Sequence, residues 1–299
     1  MPHGAAPRCA SLLARCTFPP AGTVATCAVS GGPDSTALLV LAVAAGLSVT
    51  AVHVDHGVRP GSALEAEVVR GTAQQFGAAF HAERLQLADG PNFEARAREA
   101  RYRVLPAGVL TGHTADDQAE TVLVNLLRGA ATSGLAAMRP GPQHPLLALR
   151  RADTEALCAA MGLQVVHDPS NLDARHLRNR VRHELLPLMN DLSSRDLSPV
   201  LARQAALARD DDDLLERLSG ELDPTDARAL ATAPVALARR AVRRWLATSH
   251  PPDAATVERV LAVARGESVA TEVGGGRRVE RHRQRLTLGS DDHPAQRVT

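Results

Sequence analysis

The chain has 299 residues, with 34 Lys+Arg against 33 Asp+Glu for a net charge of +1, 44% hydrophobic residues and 22% charged ones. That is the balance of a globular chain of one large or two ordinary domains, and near-neutrality excludes a bulk polycation built to coat nucleic acid. The longest apolar stretch, residues 37–47, is too short to span a bilayer, and Cys9, Cys16, Cys27 and Cys158 form no C-x-x-C pair, so no membrane span, zinc site or iron–sulfur cluster is expected. All 34 basic residues are Arg, isoleucine is absent and aromatics make up 2%, so the core must be built from Ala, Val and Leu. The start of the chain lacks a charged segment followed by an apolar core, and the cytoplasm is the expected location.

In chain order, residues 1–21 form a Pro/Ala-rich extension with helical potential at 11–16. Residues 24–29 are an apolar run of strand length, and residues 36–45 are a breaker-free run of Ala, Leu and Val that reads as a buried helix. Between them stands Ser30-Gly31-Gly32-Pro33-Asp34-Ser35. A strand, a glycine turn and a helix start present free backbone N–H groups and the positive helix end to an anion. The two glycines allow close approach and positive φ, and a phosphate is the natural guest. The kinase-type loop is excluded because it needs a lysine, and the dinucleotide fingerprint because its three-glycine spacing is missing. Ser-Gly-Gly-x-Asp-Ser after a strand instead resembles the PP-loop of the ATP pyrophosphatases, which split ATP between the α and β phosphates.

Residues 49–54 read as a second strand ending in His53, Asp55 and His56, which are expected as walls of a nucleotide pocket at a strand's carboxyl end. Residues 62–76 carry a capping-box pattern, Ser62 with Glu65, at the start of a helix. An edge strand is expected at 80–87 and a charged helix at 92–104, where Arg98 and Arg101 share a face that either reaches phosphates or pairs with Glu94 and Glu99. A strand at 109–112 delivers His113-Thr114-Ala115-Asp116-Asp117-Gln118-Ala119-Glu120. With Thr114 as N-cap, Asp117 and Glu120 lie one turn apart at a helix start, ionised and able to hold an ammonium or a magnesium ion. A short helix at 153–161 and a short strand at 165–166 precede Asp168-Pro169-Ser170-Asn171. Arg178 and Arg182 then share one helix face. Past residue 190 the texture becomes polar and helical, with helices expected at 196–219, 225–247 and 253–265 and a closing strand–turn–strand at 269–288.

Five motifs in this order resemble the tRNA(Ile)-lysidine synthetase family: Ser-Gly-Gly-Pro-Asp-Ser, His-Val-Asp-His-Gly-Val-Arg at 53–59, Ala-Arg-Glu-Ala-Arg-Tyr at 97–102, Gly-His-Thr-Ala-Asp-Asp-Gln-Ala-Glu-Thr at 112–121, and Asp-Pro-Ser-Asn with Arg-Asn-Arg-Val-Arg at 178–182. The resemblance covers roughly residues 22–190. It implies an α/β fold: a Rossmann-like, doubly wound, mainly parallel sheet in a PP-loop adenylation domain at 22–192. A smaller, mostly helical tRNA-facing domain at 193–299 would follow, ending in a β-hairpin. The implied reaction adenylates the C2 carbonyl oxygen of the wobble cytidine in a tRNA(Ile) with a CAU anticodon; the lysine amine then displaces AMP.

On that resemblance ATP meets Ser30, Gly31, Gly32, Pro33, Asp34, Ser35, His53, Asp55, His56, Arg98, Arg101 and His113, and Asp34 coordinates Mg2+. Asp117 and Glu120 bind lysine. Asp34, Arg101, Asp117, Glu120 and Arg178 carry the catalysis, and Arg178, Arg182, Arg240, Arg244 and Arg278 contact tRNA. The part after residue 193 is short for the family, which leaves open how this tRNA is told from the methionine tRNA with the same anticodon. A homodimer is one option for the oligomeric state. Other classes weighed are a PP-loop tRNA thiolase, another PP-loop adenylating enzyme, and a degenerate nucleotide-binding module. The absence of a C-x-x-C pair speaks against the thiolase, and the presence of Asp34, Asp117 and Glu120 speaks against the degenerate module.

Overall fold

A computed structural model describes residues 5–55, 62–85, 100, 103–248 and 251–290. They form two compact units, Met1–Ala208 and Arg209–Thr299. In the first, strands β1 (Val24–Ala28), β2 (Ser48–Asp55) and β3 (Ala79–Arg84) make a parallel sheet in the order β1-β2-β3. Register runs from Val24 opposite Ser48 to Ala28 opposite Val52, and from Thr50 opposite Ala79 to Asp55 opposite Arg84. Helices α1 (Ala5–Leu13), α2 (Pro33–Ala44) and α3 (Ser62–Gln75) belong to this unit.

The strand expected at 109–112 is reduced to a single parallel bridge, Leu110 to Cys27, on the free side of β1. Leu110 N–H donates to the Thr26 carbonyl at 2.8 Å, but Thr111 N–H turns away to the Gln143 carbonyl at 2.9 Å. Chain order therefore steps from β1 through β2 to β3 and then returns to the other flank of β1. The carboxyl end of β1 is thus the point where strand order reverses, and a crevice opens there. The strand expected at 165–166 is likewise absent: Val166 N–H is used on the Gly31 carbonyl at 2.9 Å, latching that segment to the phosphate loop.

A helix that is apolar on all sides must be buried on all sides. Residues 37–42 of α2 are fully enclosed, with Leu38, Leu39 and Leu41 its largest side chains. Each such leucine contributes roughly 1.5–3 kcal/mol relative to an exposed position. Around α2 pack Cys9 and Leu12 of α1, Cys27 and Val49 of the sheet, and Leu157 and Cys158 of a later helix, so the amino-terminal extension supplies part of this core.

Three further helices complete the surroundings of the crevice: α4 (Ala115–Leu127), α5 (Arg151–Ala160) and α6 (Leu177–Arg180). The last runs into a wide π-turn, Val181–Leu185, and then into α7 (Leu186–Ser193). Pro187 explains the wide turn: it has no N–H for the carbonyl four residues back, and its ring would press on it. Leu186 instead donates to Val181, and Arg182 is carried on the widened turn.

Helix α8 (Ser198–Gly220) contains the division between the units. The second unit holds α9 (Ala227–Thr232), α10 (Val235–Leu246) and α11 (Ala254–Arg265) around Leu230, Val242, Leu246, Val260 and Leu261. The single helix expected at 225–247 is two, because Pro234 ends one and starts the next. Strands β4 (Ala270–Gly274), β5 (Arg277–His282) and β6 (Arg285–Ser290) form an antiparallel meander, one strand more than expected. Its second turn is made by Arg283 and Gln284 at φ of 44° and 67°. A two-residue hairpin with positive φ is normally signalled by Asn or Gly, and neither stands there. Among the described residues no helix is long and apolar enough to cross a membrane.

Candidate functional site

At the reversal point the loop after β1 wraps the start of α2. Gly31 sits at φ +92°, and a Cβ there would come within 2.7 Å of the Val166 side chain. Gly112, arriving from the Leu110 bridge, leaves no space either: its Cβ would meet the Asp34 carbonyl oxygen at 2.7 Å. Two close approaches thus fix the loop. Ser30 and Ser35 hydroxyls lie 3.2 Å apart, Ser35 Oγ donates to the Gly32 carbonyl at 3.0 Å, and Thr36 Oγ1 donates to the Gly31 carbonyl at 3.2 Å. Pro33 at the first helical position pre-sets the backbone, and the first-turn N–H groups of α2 have no partner within the helix.

This loop forms one wall of a cavity of about 630 Å³. Ser30, Gly32, Pro33, Asp34, Ser35 and His113 line it as expected from the sequence; Gly31 shapes the turn from behind. From β2 the lining residues are Val52 and Val54, whereas His53 and Asp55 are not among them. Side chains alternate along a strand, so the apolar pair and the polar pair face opposite sides. His53 is buried and donates from Nδ1 to the Val29 carbonyl at 2.9 Å, while Nε2 finds no partner among the described residues. His56, Arg98 and Arg101, with most of the helix expected at 92–104, lie outside the described residues.

Contiguous with the loop is a lattice of charge. The N-cap Thr114 closes a capping box with Asp117: Asp117 Oδ2 accepts from Thr114 N–H at 2.8 Å and from its hydroxyl at 3.0 Å. Asp117 Oδ1 accepts from Arg151 Nη2 at 3.2 Å and Arg178 Nη2 at 3.1 Å. One turn on, Glu120 has no exposed surface and takes four N–H donors: Arg182 Nε at 2.6 Å and Nη2 at 3.0 Å, Arg178 Nε at 2.8 Å, and Arg151 Nη2 at 3.2 Å. Arg178 and Arg182 thus do share a face, and it is turned onto the acidic pair. Asp117 and Arg182 line the cavity; Glu120 and Arg178 stand behind them.

Two residues of this site went unrecognised in the sequence, Arg151 and Thr154, both from the first turn of α5. The Thr154 hydroxyl, fully buried, donates to Asp34 Oδ1, and Arg151 Nε donates to Asp34 Oδ2 at 3.4 Å. Arg151 N–H also donates to Asp116 at 2.7 Å, and Arg150 clamps the same carboxylate through Nε and Nη2 at 3.0 and 2.8 Å. Nothing local to residues 150–154 signals this, since the Asp34 partners lie 117 and 120 positions away.

Burial pushes the Asp34 carboxyl up to about 6, with the negative charge of Asp117 adding to it against the opposing pull of Thr154 and Arg151. Asp117 goes the other way. Burial raises it, but Arg151, Arg178, the Thr114 N–H and His113 outweigh that and hold it below the usual carboxylate range. Asp34 therefore keeps its proton to a higher pH in the folded chain than in the unfolded one, so its contribution to stability falls as pH rises from about 4 to about 6. Asp34→Asn, which has no proton to lose, is expected to gain on wild type by on the order of 2–3 kcal/mol across that window and to track it in parallel above it. Urea midpoints measured from pH 4 to 8 check this, and a pH-independent difference would contradict it.

His113 Nδ1 lies 2.8 Å from Thr111 Oγ1, a hydroxyl that His144 Nδ1 also approaches at 2.8 Å. The cysteines offer no nucleophile: burial pushes Cys27 and Cys158 up to about 12, so neither is a thiolate at neutral pH. Among the described residues no three His, Cys, Asp or Glu side chains are grouped as a metal site.

In the second unit the three arginines expected to meet tRNA have internal partners. Arg240 is largely buried and bonded to Asp212 and Glu216, each at 2.7 Å. Arg244 caps the end of α8 through the Ser219 carbonyl at 2.7 Å. Arg278 pairs with Glu280 at 3.0 Å and is half exposed.

Residues 10–189 match a family described as the PP-loop domain, and residues 226–287 match one described as the TilS substrate binding domain. A tRNA(Ile)-lysidine synthase of Nocardia farcinica is 40% identical over 297 residues, covering 91% of this chain and 93% of its own. A protein of the same name from Thermobifida fusca is 38% identical, with 91% and 93% covered. Among solved structures, the U34-tRNA thiolase NcsA from Methanococcus maripaludis superposes with a TM-score of 0.52 at 15% identity, over 74% of this chain and 80% of that one. At that identity the likeness is one of fold.

Proposed function

Because the chain belongs to the tRNA(Ile)-lysidine synthase family, we propose that it is an ATP-dependent ligase that attaches lysine to C2 of the wobble cytidine of a CAU-anticodon tRNA(Ile). One observation carries the reading: a single cavity joins a phosphate-binding loop to a buried carboxylate–arginine lattice, which suits a reaction that first places an adenylate and then admits an amine.

In the first half-reaction the cytidine C2 oxygen attacks the α-phosphorus, the α–β bond breaks and pyrophosphate leaves. The free N–H groups at the start of α2 and the Ser30 and Ser35 hydroxyls hold the leaving group. Asp34 would hold a magnesium ion, which would offset the charge of the departing pyrophosphate. In the second half-reaction the lysine nitrogen, having shed a proton, bonds to C2; the C2–O bond breaks and AMP leaves with the electron pair. Asp117, the cavity-facing member of the pair, receives the amine, and a carboxylate beside it accepts a proton. Glu120, sealed behind it, holds Arg178 and Arg182. Residues such as Arg278 supply backbone contacts to tRNA, whereas Arg240 is part of the second unit's scaffold.

The test separates the half-reactions. With ATP, Mg2+ and CAU tRNA(Ile) but no lysine, pyrophosphate is expected to form with adenylate retained on the tRNA; adding lysine releases AMP. Failure to form pyrophosphate with this tRNA would overturn the reading.

A further inference from the structure

The acidic pair has no vacancy for an amine. Glu120 accepts four N–H bonds, the full capacity of a carboxylate, and both Asp117 oxygens are likewise taken up. A lysine ammonium arriving at Asp117 must therefore replace a cation already there. Three are present, and they are not equivalent. Arg178 and Arg182 hold Glu120 at 2.6–3.0 Å. Arg151 makes only long contacts, 3.2 Å to Asp117, 3.2 Å to Glu120 and 3.4 Å to Asp34, and it lines the cavity from which a substrate enters. Its backbone, by contrast, is anchored through Asp116, so the side chain is able to move without the helix.

We propose that Arg151 is an exchangeable cation: it occupies the amine-binding position at Asp117 until lysine displaces it, and then remains with Asp34 on the phosphate side of the cavity. The inference rests on the lysine-ligation reading above. It assigns one guanidinium two successive positions, joined by the Asp34 contact that both share. Before lysine binds, its Nη2 fills the place between Asp117 Oδ1 and Glu120 Oε1 that an ammonium would take, beside an acidic pair whose charge Arg178 and Arg182 already match. After exchange, it adds positive charge where AMP departs. The same residue thereby makes the full charge complement at the phosphate conditional on an amine being in place.

The consequence is a split that a scaffold residue does not produce. Arg151→Gln removes the competitor, so KM for lysine is expected to fall about tenfold. It also removes a charge from the departing phosphate, so kcat for AMP release is expected to fall about 100-fold. Arg151→Lys keeps the charge on a compact head that cannot bridge three carboxylates, and is expected to lie between, with KM for lysine about threefold below wild type. Both variants are assayed with tRNA and ATP saturating, alongside their melting temperatures. If the Gln variant does not fold, the Lys variant decides alone. A lysine KM at or above the wild-type value in the folded variants would overturn the exchange. If wild-type protein itself attaches no lysine to tRNA, the functional reading falls and the inference with it.

Discussion

Glu120→Ala is expected to lower the stability of the first unit by about 3–5 kcal/mol and to abolish lysine transfer. Glu120 is fully enclosed and is the common acceptor of Arg151, Arg178 and Arg182. Truncation leaves these guanidinium groups crowded around a void with Asp117 as their remaining shared acceptor. Breaking a buried ionic cluster from one side costs more than the cluster contributed, because uncompensated charge stays behind. For a unit of this size each kcal/mol is roughly 2–4 °C of melting temperature, so a drop of about 6–20 °C is expected by circular dichroism. Glu120→Gln keeps the shape and one acceptor oxygen and is expected to lose less, about 1–3 kcal/mol. A melting point within about 2 °C of wild type for Glu120→Ala would mean that the lattice does not hold the unit together.

Gly112→Ala is expected to act on catalysis more than on stability. The added Cβ meets Asp34 O at 2.7 Å, Asp34 C at 2.9 Å and Ser35 N at 3.0 Å, all of them backbone atoms in the first turn of α2. No side chain is available to swing aside, so the phosphate loop itself must shift by several tenths of an ångström. Overpacking of this kind costs about 1–3 kcal/mol. Misplacing groups that position a reacting phosphate by up to 1 Å costs on the order of 100-fold in rate, so kcat/KM for ATP is expected to fall by about that factor. Gly71→Ala is the control: it lies within α3 with nothing within 4 Å of its Cβ, and is expected to leave activity unchanged while stabilising slightly. Pyrophosphate release under varied ATP measures both, and full activity in Gly112→Ala would contradict the packing described.

What was legible in the sequence was local. The turn after β1 and the apolar helix behind it are written in consecutive residues, and the structure has both at Val24–Ala28 and Pro33–Ala44. The N-cap at Thr114 was legible for the same reason, and the structure adds that Asp117, within the same turn, closes a capping box with it. Faces of strands were only half legible: alternation in β2 separates His53 and Asp55 from Val52 and Val54, but only the packed sheet tells which pair meets the cavity. Arg151 and Thr154 were illegible, because their partner Asp34 is remote in sequence and near only after α5 docks against α2. The break at Pro234 was written in the chain and passed over, whereas the turn at Arg283 and Gln284 carries no turn residue to read. The arginine clusters of the second unit show the same limit: Arg240 reads as a surface charge until Asp212 and Glu216 are seen beside it.

The most direct test of the central claim is transfer of radiolabelled lysine, with ATP and Mg2+, into two transcripts: tRNA(Ile) with a CAU anticodon and the methionine tRNA that shares it. Label is expected in the isoleucine tRNA, recovered in the wobble nucleoside after digestion, together with one AMP per lysine attached, and absent from the methionine tRNA. AMP formation without lysine in the nucleic acid, or label confined to an ester that mild base removes, would contradict the account.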